Sequence, residues 1–484
     1  MCSRLRYLTG VASILLLAAV RADSVENQYY LNVPQRLDSE PLPVGELWRF
    51  DVHDDSEIVK QVLAIAEEHD LDLWQVSHSH VDVYSPYSGP GLPPPLHLIP
   101  HTRVANITAP ERTTSSRKYD EWDLNSLQNT TYHAEYHPLY EVDTFMRDLV
   151  AIHPDRARIL DLGHSGMGRE MMGIAISSGP SSAAKGKGRR RGTSKKSQKD
   201  SADSKLAFVI VGAQHAREWV ATATSLYLAH ALASNQSEPH SLAPLLNVFD
   251  FYIIPAPNPD GYDYTWETDR YWYKTRQRMG SKNKCFGLDM NRNWGYKWKP
   301  RADQMTAHST SDSEDKTLKK KKRPREPTDP CSHWYPGHRP FEAPEVNNIA
   351  NLIITIPNIV GFLDLRSYGQ MLSAPFSYSC RIIPKDAEDQ LEAGLGAARA
   401  LGVIHGTQFS TGRLCAMLYR APGNIVDWMY KRAGIKYSYV VHLRDTGTYG
   451  FSLPSKWIRP VGEETTEMLR YLATFIAKKM KREL

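Results

Sequence analysis

From residue 132 onward, short apolar runs alternate with longer stretches whose apolar residues recur every three to four positions, and this alternation is the tightest constraint on the fold. Runs at 159–162, 171–176, 207–211, 249–254, 361–365 and 437–443 have the length and the Ile, Val, Leu, Phe and Tyr content of strands. Stretches at 139–152, 219–233, 345–356, 386–401 and 463–480 have helical period. The expected class is α/β: a mixed central sheet with helices on both faces. No internal repeat interrupts the pattern.

A smaller unit precedes it. Residues 47–52 alternate like a strand, and Ile58, Val59, Val62, Leu63, Ile65 and Ala66 fall on one side of a helix for which Ser56 is the expected cap. Strands are expected at 72–76 and 80–84, which makes an α+β unit of roughly 80 residues. GPGLPPPLH at 89–97 has the stiffness of a linker. The polar stretch ERTTSSRK at 111–118 is one that an endoprotease could reach. The expected organisation is therefore a signal segment at 1–22, the small domain at 23–110, a linker at 111–131 and the large domain at 132–484. Within the large domain, 179–204 and 306–328 are basic inserts.

The start MCSRLRYLTGVASILLLAAVRA has a basic n-region, an apolar centre too short to span a bilayer, and small residues before a cut at Asp23. Export implies that disulfides survive. Once Cys2 leaves with the signal, Cys285, Cys331, Cys380 and Cys415 remain, and spacing alone allows three pairings. The sequons at Asn106, Asn129 and Asn235 fit glycosylation on surface loops. The net charge of +5 is concentrated in the two inserts, which read as solvated loops or as a tether to an anionic wall or membrane surface. A nuclear role is set aside because of the signal segment. The chain is expected to be a monomer without nucleic-acid partners.

His215 and Glu218 stand three residues apart where an apolar strand gives way to a helix, the arrangement of a two-ligand metal half-site. That pair alone is a weak signal. It is joined by HAREW (215–219), IIPAPNPDGYDYTW (253–266), RYWYKTR (270–276), GLDMNRNW (287–294), DLRSYGQ (364–370) and IKYSYVVHLRDTGTYGF (435–451). In this order the motifs resemble the zinc carboxypeptidases of the pancreatic A/B type, and residues 45–110 resemble their activation propeptide.

By that resemblance His215 and Glu218 match the first two zinc ligands, and Asn291 and Arg292 match the pair that grips a substrate's C-terminal carboxylate. Tyr419 matches the mobile tyrosine that closes over substrate, Ser367 and Tyr368 an adjacent subsite wall, and Val426 the floor of the specificity pocket. An apolar floor implies an apolar or aromatic C-terminal side chain. The family pairing would join Cys285 to Cys331, and in some members Cys380 to Cys415.

Three positions depart from the family. Its third zinc ligand, a histidine, is Arg366 here, and a guanidinium has no lone pair to give. Its water-activating glutamate is His442, and its carbonyl-polarising arginine is Tyr273. A salt bridge from Arg366 to Glu218 would fill the metal position with the chain's own cation. The combination resembles the fungal branch of inactive carboxypeptidase-like proteins linked to cell-wall organisation and biogenesis, which are secreted or vacuolar. The expectation is an inactive protein that binds peptide or protein C-termini without hydrolysis, with zinc, one per chain in the family, put in question by Arg366. The alternative is an active zinc carboxypeptidase with a rearranged centre that uses His442 as third ligand and prefers apolar C-terminal residues.

Overall fold

The computed structural model describes residues 43–108, 122–178, 205–279, 285–300 and 329–483. The expected signal segment, the stretch 112–118 and both basic inserts lie outside the described residues.

The first sheet has four strands in the order β2-β3-β1-β4, with β1 Pro43–Asp51, β2 Asp72–Val76, β3 His80–Pro86 and β4 His101–Thr108. One helix, α1 Ser56–Glu68, packs Val59, Val62, Ile65 and Ala66 against Phe50, Val81 and Val83. Its cap is Asp55 rather than Ser56: the Asp55 carboxylate accepts from the amides of Glu57 and Ile58, satisfying donors that a helix start leaves open. The Pro-rich run is no linker. It turns through a short 3-10 segment, Pro94–Leu98, whose Leu96 is buried in this core with Ile99, and the chain then returns as β4 beside β1.

The second sheet has eight strands in the order β11-β10-β12-β9-β7-β8-β6-β5. These are β5 Ala157–His164, β6 Glu170–Ile176, β7 Leu206–Val211, β8 Phe249–Ile254, β9 Ile359–Arg366, β10 Met371–Ala374, β11 Ser410–Arg413 and β12 Tyr437–His442. The central strands β8, β7, β9 and β12 run parallel, while β6 and β10 pair antiparallel to them. Successive side chains point to opposite faces, so Phe208 and Ile210 of β7 enter one core and Val209 and Val211 the other.

The first face is covered by α2 Leu139–Ile152, α3 Trp219–Ala233, α6 Ala387–His405 and α9 Ile458–Glu483. The second is covered by α5 Pro344–Ile353 and α8 Ile425–Lys431. Two further helices, α4 Pro259–Glu267 and α7 Leu414–Met417, sit at loop connections. Helix α3 is buried on nearly every side and holds no Asp, Glu, Lys or Arg, with Glu218 just before its first residue. Leu124 and Leu127, placed in the linker by sequence, are buried in the first-face core instead.

The four cysteines pair as Cys285–Cys331 and Cys380–Cys415. Among the described residues no helix is long and apolar enough to cross a membrane.

Candidate functional site

Parallel α/β sheets gather functional side chains beyond the carboxyl ends of their strands. Here β7, β9 and β12 end together. After β7 the chain bends at Gly212, where a Cβ would lie 2.2 Å from the Pro255 carbonyl oxygen, so only glycine permits this close passage. The bend delivers His215 and places Glu218 as the residue capping α3, although its side chain caps no amide. Arg366 ends β9 and His442 ends β12, directly opposite each other in parallel register.

The Arg366 side chain lies across His215 and Glu218. Its Nε donates to Glu218 Oε2 at 2.8 Å and its Nη2 to Oε1 at 3.1 Å. Nη2 also contacts Nδ1 of His215, and Nη1 points to Asp364 Oδ2 at 3.5 Å. The other imidazole nitrogen, Nε2 of His215, faces Asp289 Oδ1 at 2.9 Å, and the Tyr273 ring stacks on the imidazole at 3.7 Å. The Tyr273 hydroxyl donates to Asp289 Oδ2 at 3.2 Å.

Electrostatics follow from this crowding. Burial alone would raise the Glu218 carboxyl, but Arg366 and His215 outweigh it and hold it at about 2. Asp289, likewise buried, is held at about 2 by Arg292 and His215. Burial would lower the Arg366 guanidinium, yet Glu218 and Asp364 push it well above its ordinary value. Asp364 is raised by burial to about 6. His442 is pressed down to about 3 by burial and then by the Arg366 charge, and its Nδ1 has no partner among the described residues.

Arg292 and Asn291 come from a 3-10 turn, Met290–Arg292, that begins with Asp289 accepting from the Asn291 amide at 2.8 Å. Arg292 Nη2 donates to the Tyr419 hydroxyl at 2.8 Å, and Asn291 Oδ1 accepts from the Ile425 amide at 3.0 Å. His215, Glu218, Tyr273, Asn291, Arg292, Arg366, Ser367, Tyr368, Tyr419 and His442 thus line one pocket. Val426 does not. It is fully buried in a cluster with Leu414, Leu418 and Val440, and those three form the pocket's apolar wall.

The small domain closes this pocket. Leu73, Trp74, Gln75 and Val76 of β2 line it, and the space left is about 80 Å³. That is room for a few waters while β2 stays docked. Asp82, fully buried, ties the two sheets together: it accepts from Arg49 Nε and Nη2 at 2.7 and 2.8 Å and from the Tyr368 hydroxyl at 2.7 Å. Arg49 reaches on to the Thr446 carbonyl.

Sequence reasoning passed over Asp289 and Arg217, although both lie inside the quoted motifs. Asp289 sits two residues before Asn291, and Arg217 between His215 and Glu218. A charged residue inside a motif that already contains candidates is the signal that could have found them.

The one group of three potential metal donors among the described residues is Cys285, Asp329 and Cys331, and its two sulfurs are joined in a disulfide. Asn106, Asn129 and Asn235 are all exposed.

The sequence profile of the zinc carboxypeptidases matches residues 142–468, more than half of the chain. The inactive metallocarboxypeptidase ecm14 of Sclerotinia sclerotiorum is 32% identical over 360 residues, which are 70% of this chain and 54% of that protein. The protein of the same name from Paracoccidioides brasiliensis is 30% identical over 460 residues, 86% of this chain and 70% of the relative. Carboxypeptidase B of the crayfish Astacus astacus is 34% identical over 70% of this chain and 97% of its own length. Among solved structures, thrombin-activatable fibrinolysis inhibitor superposes with a TM-score of 0.69 at 26% identity, covering 90% of this chain and 100% of that one. With the strand ends, the cluster at the pocket floor and the family motifs in one place, the chain belongs to the zinc carboxypeptidase family.

Proposed function

We propose that this chain is a zinc-free, non-hydrolysing member of its family that binds peptide or protein C-termini. The observation that carries the reading is the Arg366 guanidinium lying on Glu218 and His215. A catalytic zinc takes three protein donors at roughly 2.0–2.2 Å. Arg366 has no lone pair, both Glu218 oxygens already accept from it, and its charge opposes a divalent cation. The residues present do not fit a zinc ion, and no step is routed through one.

Hydrolysis also lacks a base. His442, held at about 3, is neutral at pH 7 and a poor proton acceptor there. The Tyr273 hydroxyl is spent on Asp289.

Binding keeps its parts. Nη2 of Arg292 donates to the Tyr419 hydroxyl, and exchanging that partner for a carboxylate puts an anion opposite the guanidinium in place of a phenol. The wall of Leu414, Leu418 and Val440 favours an apolar last side chain. The names of the fungal relatives, which call them inactive, agree with this reading. Elemental mass spectrometry of the purified chain tests it: no stoichiometric zinc is expected, and one tightly held zinc per chain overturns it. Free-acid peptides are expected to bind by displacing β2 from the pocket mouth, and their C-terminal amides not, with loss of binding in Arg292→Ala.

A second reading, a hydrolase with His442 as third ligand, draws on the unpartnered Nδ1 of His442 in the same pocket. It requires Arg366 to vacate the floor. Release of an apolar C-terminal residue that stops on His442→Ala supports it.

The two disulfides suit an exported protein, placed in the secretory pathway or vacuole with a role in cell-wall organisation. The basic inserts hold it at an anionic wall or membrane surface, a contact that salt would weaken. Deleting both inserts without loss of retention removes that part of the proposal. Glycans at Asn106, Asn129 and Asn235 would show as a mass loss on endoglycosidase treatment.

A further inference from the structure

A second depression lies at the opposite edge of the large sheet from His215 and Arg366, where β7 and β8 begin rather than end. It is framed by the ends of α2 and α3 and by the 3-10 turn Ala243–Asn247 that leads into β8. Its volume is about 520 Å³, within the range of roughly 300–1,000 Å³ that small-ligand sites occupy. The walls are of two kinds: Ala243, Pro244 and Leu246 supply apolar surface, and Asn125, Gln236 and Asn247 supply side-chain amides. An N-acetylated sugar has the complementary chemistry, an apolar ring face edged by hydroxyls and an amide that both donate and accept.

The walls are tied together without any ligand. Ser178 Oγ donates to the Leu246 carbonyl at 2.7 Å, and Arg156 Nη1 to the Ala233 carbonyl at 3.3 Å. Glu238 Oε2 accepts from Ser126 Oγ and from the Gln128 amide, both at 3.3 Å, and so holds the loop that carries Asn125 against the turn that carries Asn235. A site fixed in this way spends little on ordering when it is filled.

Asn235 stands exposed on the rim. Its Oδ1 accepts from the Ser237 amide at 3.1 Å and from the Ser237 hydroxyl at 3.0 Å. Two donors on the oxygen fix which way the amide faces and leave Nδ2 for another partner. Nδ2 is the atom that carries the sugar in a glycosylated Asn-X-Ser sequence.

Resting on export and modification of this sequon, and going beyond the C-terminus reading, we propose that the depression is a carbohydrate site whose occupant is the chain's own glycan at Asn235. Attachment forms the bond from Nδ2 to the anomeric carbon, breaks the bond from that carbon to the diphosphate of a lipid-linked oligosaccharide, and releases one amide proton. The first N-acetylated sugars then lay their ring faces on Ala243 and Pro244 and turn their hydroxyls to the amides of Asn125, Gln236 and Asn247. A sugar on its own short tether is presented at an effective concentration on the order of millimolar, so contacts too weak to capture a free sugar suffice to hold this one.

The test uses the full chain secreted from a eukaryotic host and digested with a peptide N-glycosidase, folded or after denaturation. Peptide mass spectrometry reads the aspartate left at each sequon. The control is Asn106, exposed on the edge strand β4. Denatured, the two positions should lose their glycans alike. Folded, Asn235 should release its glycan at least about tenfold more slowly than Asn106, a difference of about 1.4 kcal/mol. Asn247→Trp, which fills the depression from an exposed position of its wall, should restore the rate of Asn106. Asn235→Gln should quicken hydrogen exchange at 243–248 and 153–157, which crowding at the attachment point alone would not protect.

Equal folded rates at Asn235 and Asn106 overturn the docking, and so does a slow release that Asn247→Trp leaves unchanged. A secreted chain with no glycan at Asn235 overturns it together with the modification on which it rests. The C-terminus reading is tested at the other end of the sheet and stands or falls separately.

Discussion

Nε of Arg366 stands 2.8 Å from Oε2 of Glu218, with a second bond from Nη2 to Oε1 at 3.1 Å, both side chains almost wholly buried. Two parallel hydrogen bonds between planar groups make this a fork-to-fork pair, the strongest geometry available to an arginine. Removing one partner strands the other's charge in the interior.

Arg366→Met should therefore cost about 3–5 kcal/mol of unfolding free energy, read by guanidinium denaturation. Arg366→His should restore a third donor beside His215 and Glu218 and let the chain take up zinc, measured as metal per chain after dialysis. Failure of the histidine variant to hold any zinc would show that Asp289 and Tyr273, rather than the arginine alone, keep the metal out.

Breaking the tie between the sheets should loosen the lid. Asp82→Ala leaves Arg49 and the Tyr368 hydroxyl without their common acceptor and should weaken docking of the small domain by about 3 kcal/mol. Hydrogen exchange should quicken in β2 and around the pocket rim while β7 and α3 stay protected. Uniform quickening across both cores would mean that the two do not open separately.

Acid stability should be limited by a histidine pair far from the pocket, in addition to His442 within it. His133 Nε2 lies 3.1 Å from His230 Nδ1, and His230 Nε2 is 3.0 Å from the Leu124 carbonyl, which can only accept. With Nε2–H of a neutral His230 donating to Leu124, its Nδ1 is left to accept from His133 Nε2–H. Burial lowers His230 to about 4 and puts His133 well below its ordinary value, with Arg459 nearby adding to the effect. The unfolded chain takes up these protons near 6.5, so it binds more protons than the folded one as pH falls. Stability should be complete above pH 6.5 and decline toward pH 4, by on the order of 3 kcal/mol for His230 alone. Melts at pH 7, 5.5 and 4 should show that decline, and it should flatten when His133→Phe and His230→Leu are combined.

Gly423 has φ +78°, and a Cβ there would sit 2.3 Å from the Arg292 carbonyl oxygen. Gly423→Ala should destabilise the chain by about 1–3 kcal/mol and weaken free-acid peptide binding through the displaced Arg292. Unchanged peptide affinity would separate the turn from the site.

Strands buried on both faces were legible because runs such as FVIV carry their own signal, and α3 follows from its unbroken apolar stretch. β4 was not, since HTRVANIT lies at a sheet edge with polar residues on its open side, and its partner β1 is far away in sequence. Short strands such as MLSA and STGR pack too few residues to impose a period. At the site, the motifs located His215, Glu218, Arg366 and Arg292. They could not show that Asp289 holds the far nitrogen of His215, because that contact spans 74 residues and depends on tertiary packing alone. Val426 reached the pocket's neighbourhood but not its surface, a difference of one side-chain layer that no linear pattern encodes.

The cation on the pocket floor is covalently part of the chain. It cannot be stripped by a chelator, exchanged for a competing ion or left empty by scarcity; on the zinc-free reading proposed above, the pocket keeps the same electrostatic field in a metal-starved compartment as in a metal-rich one.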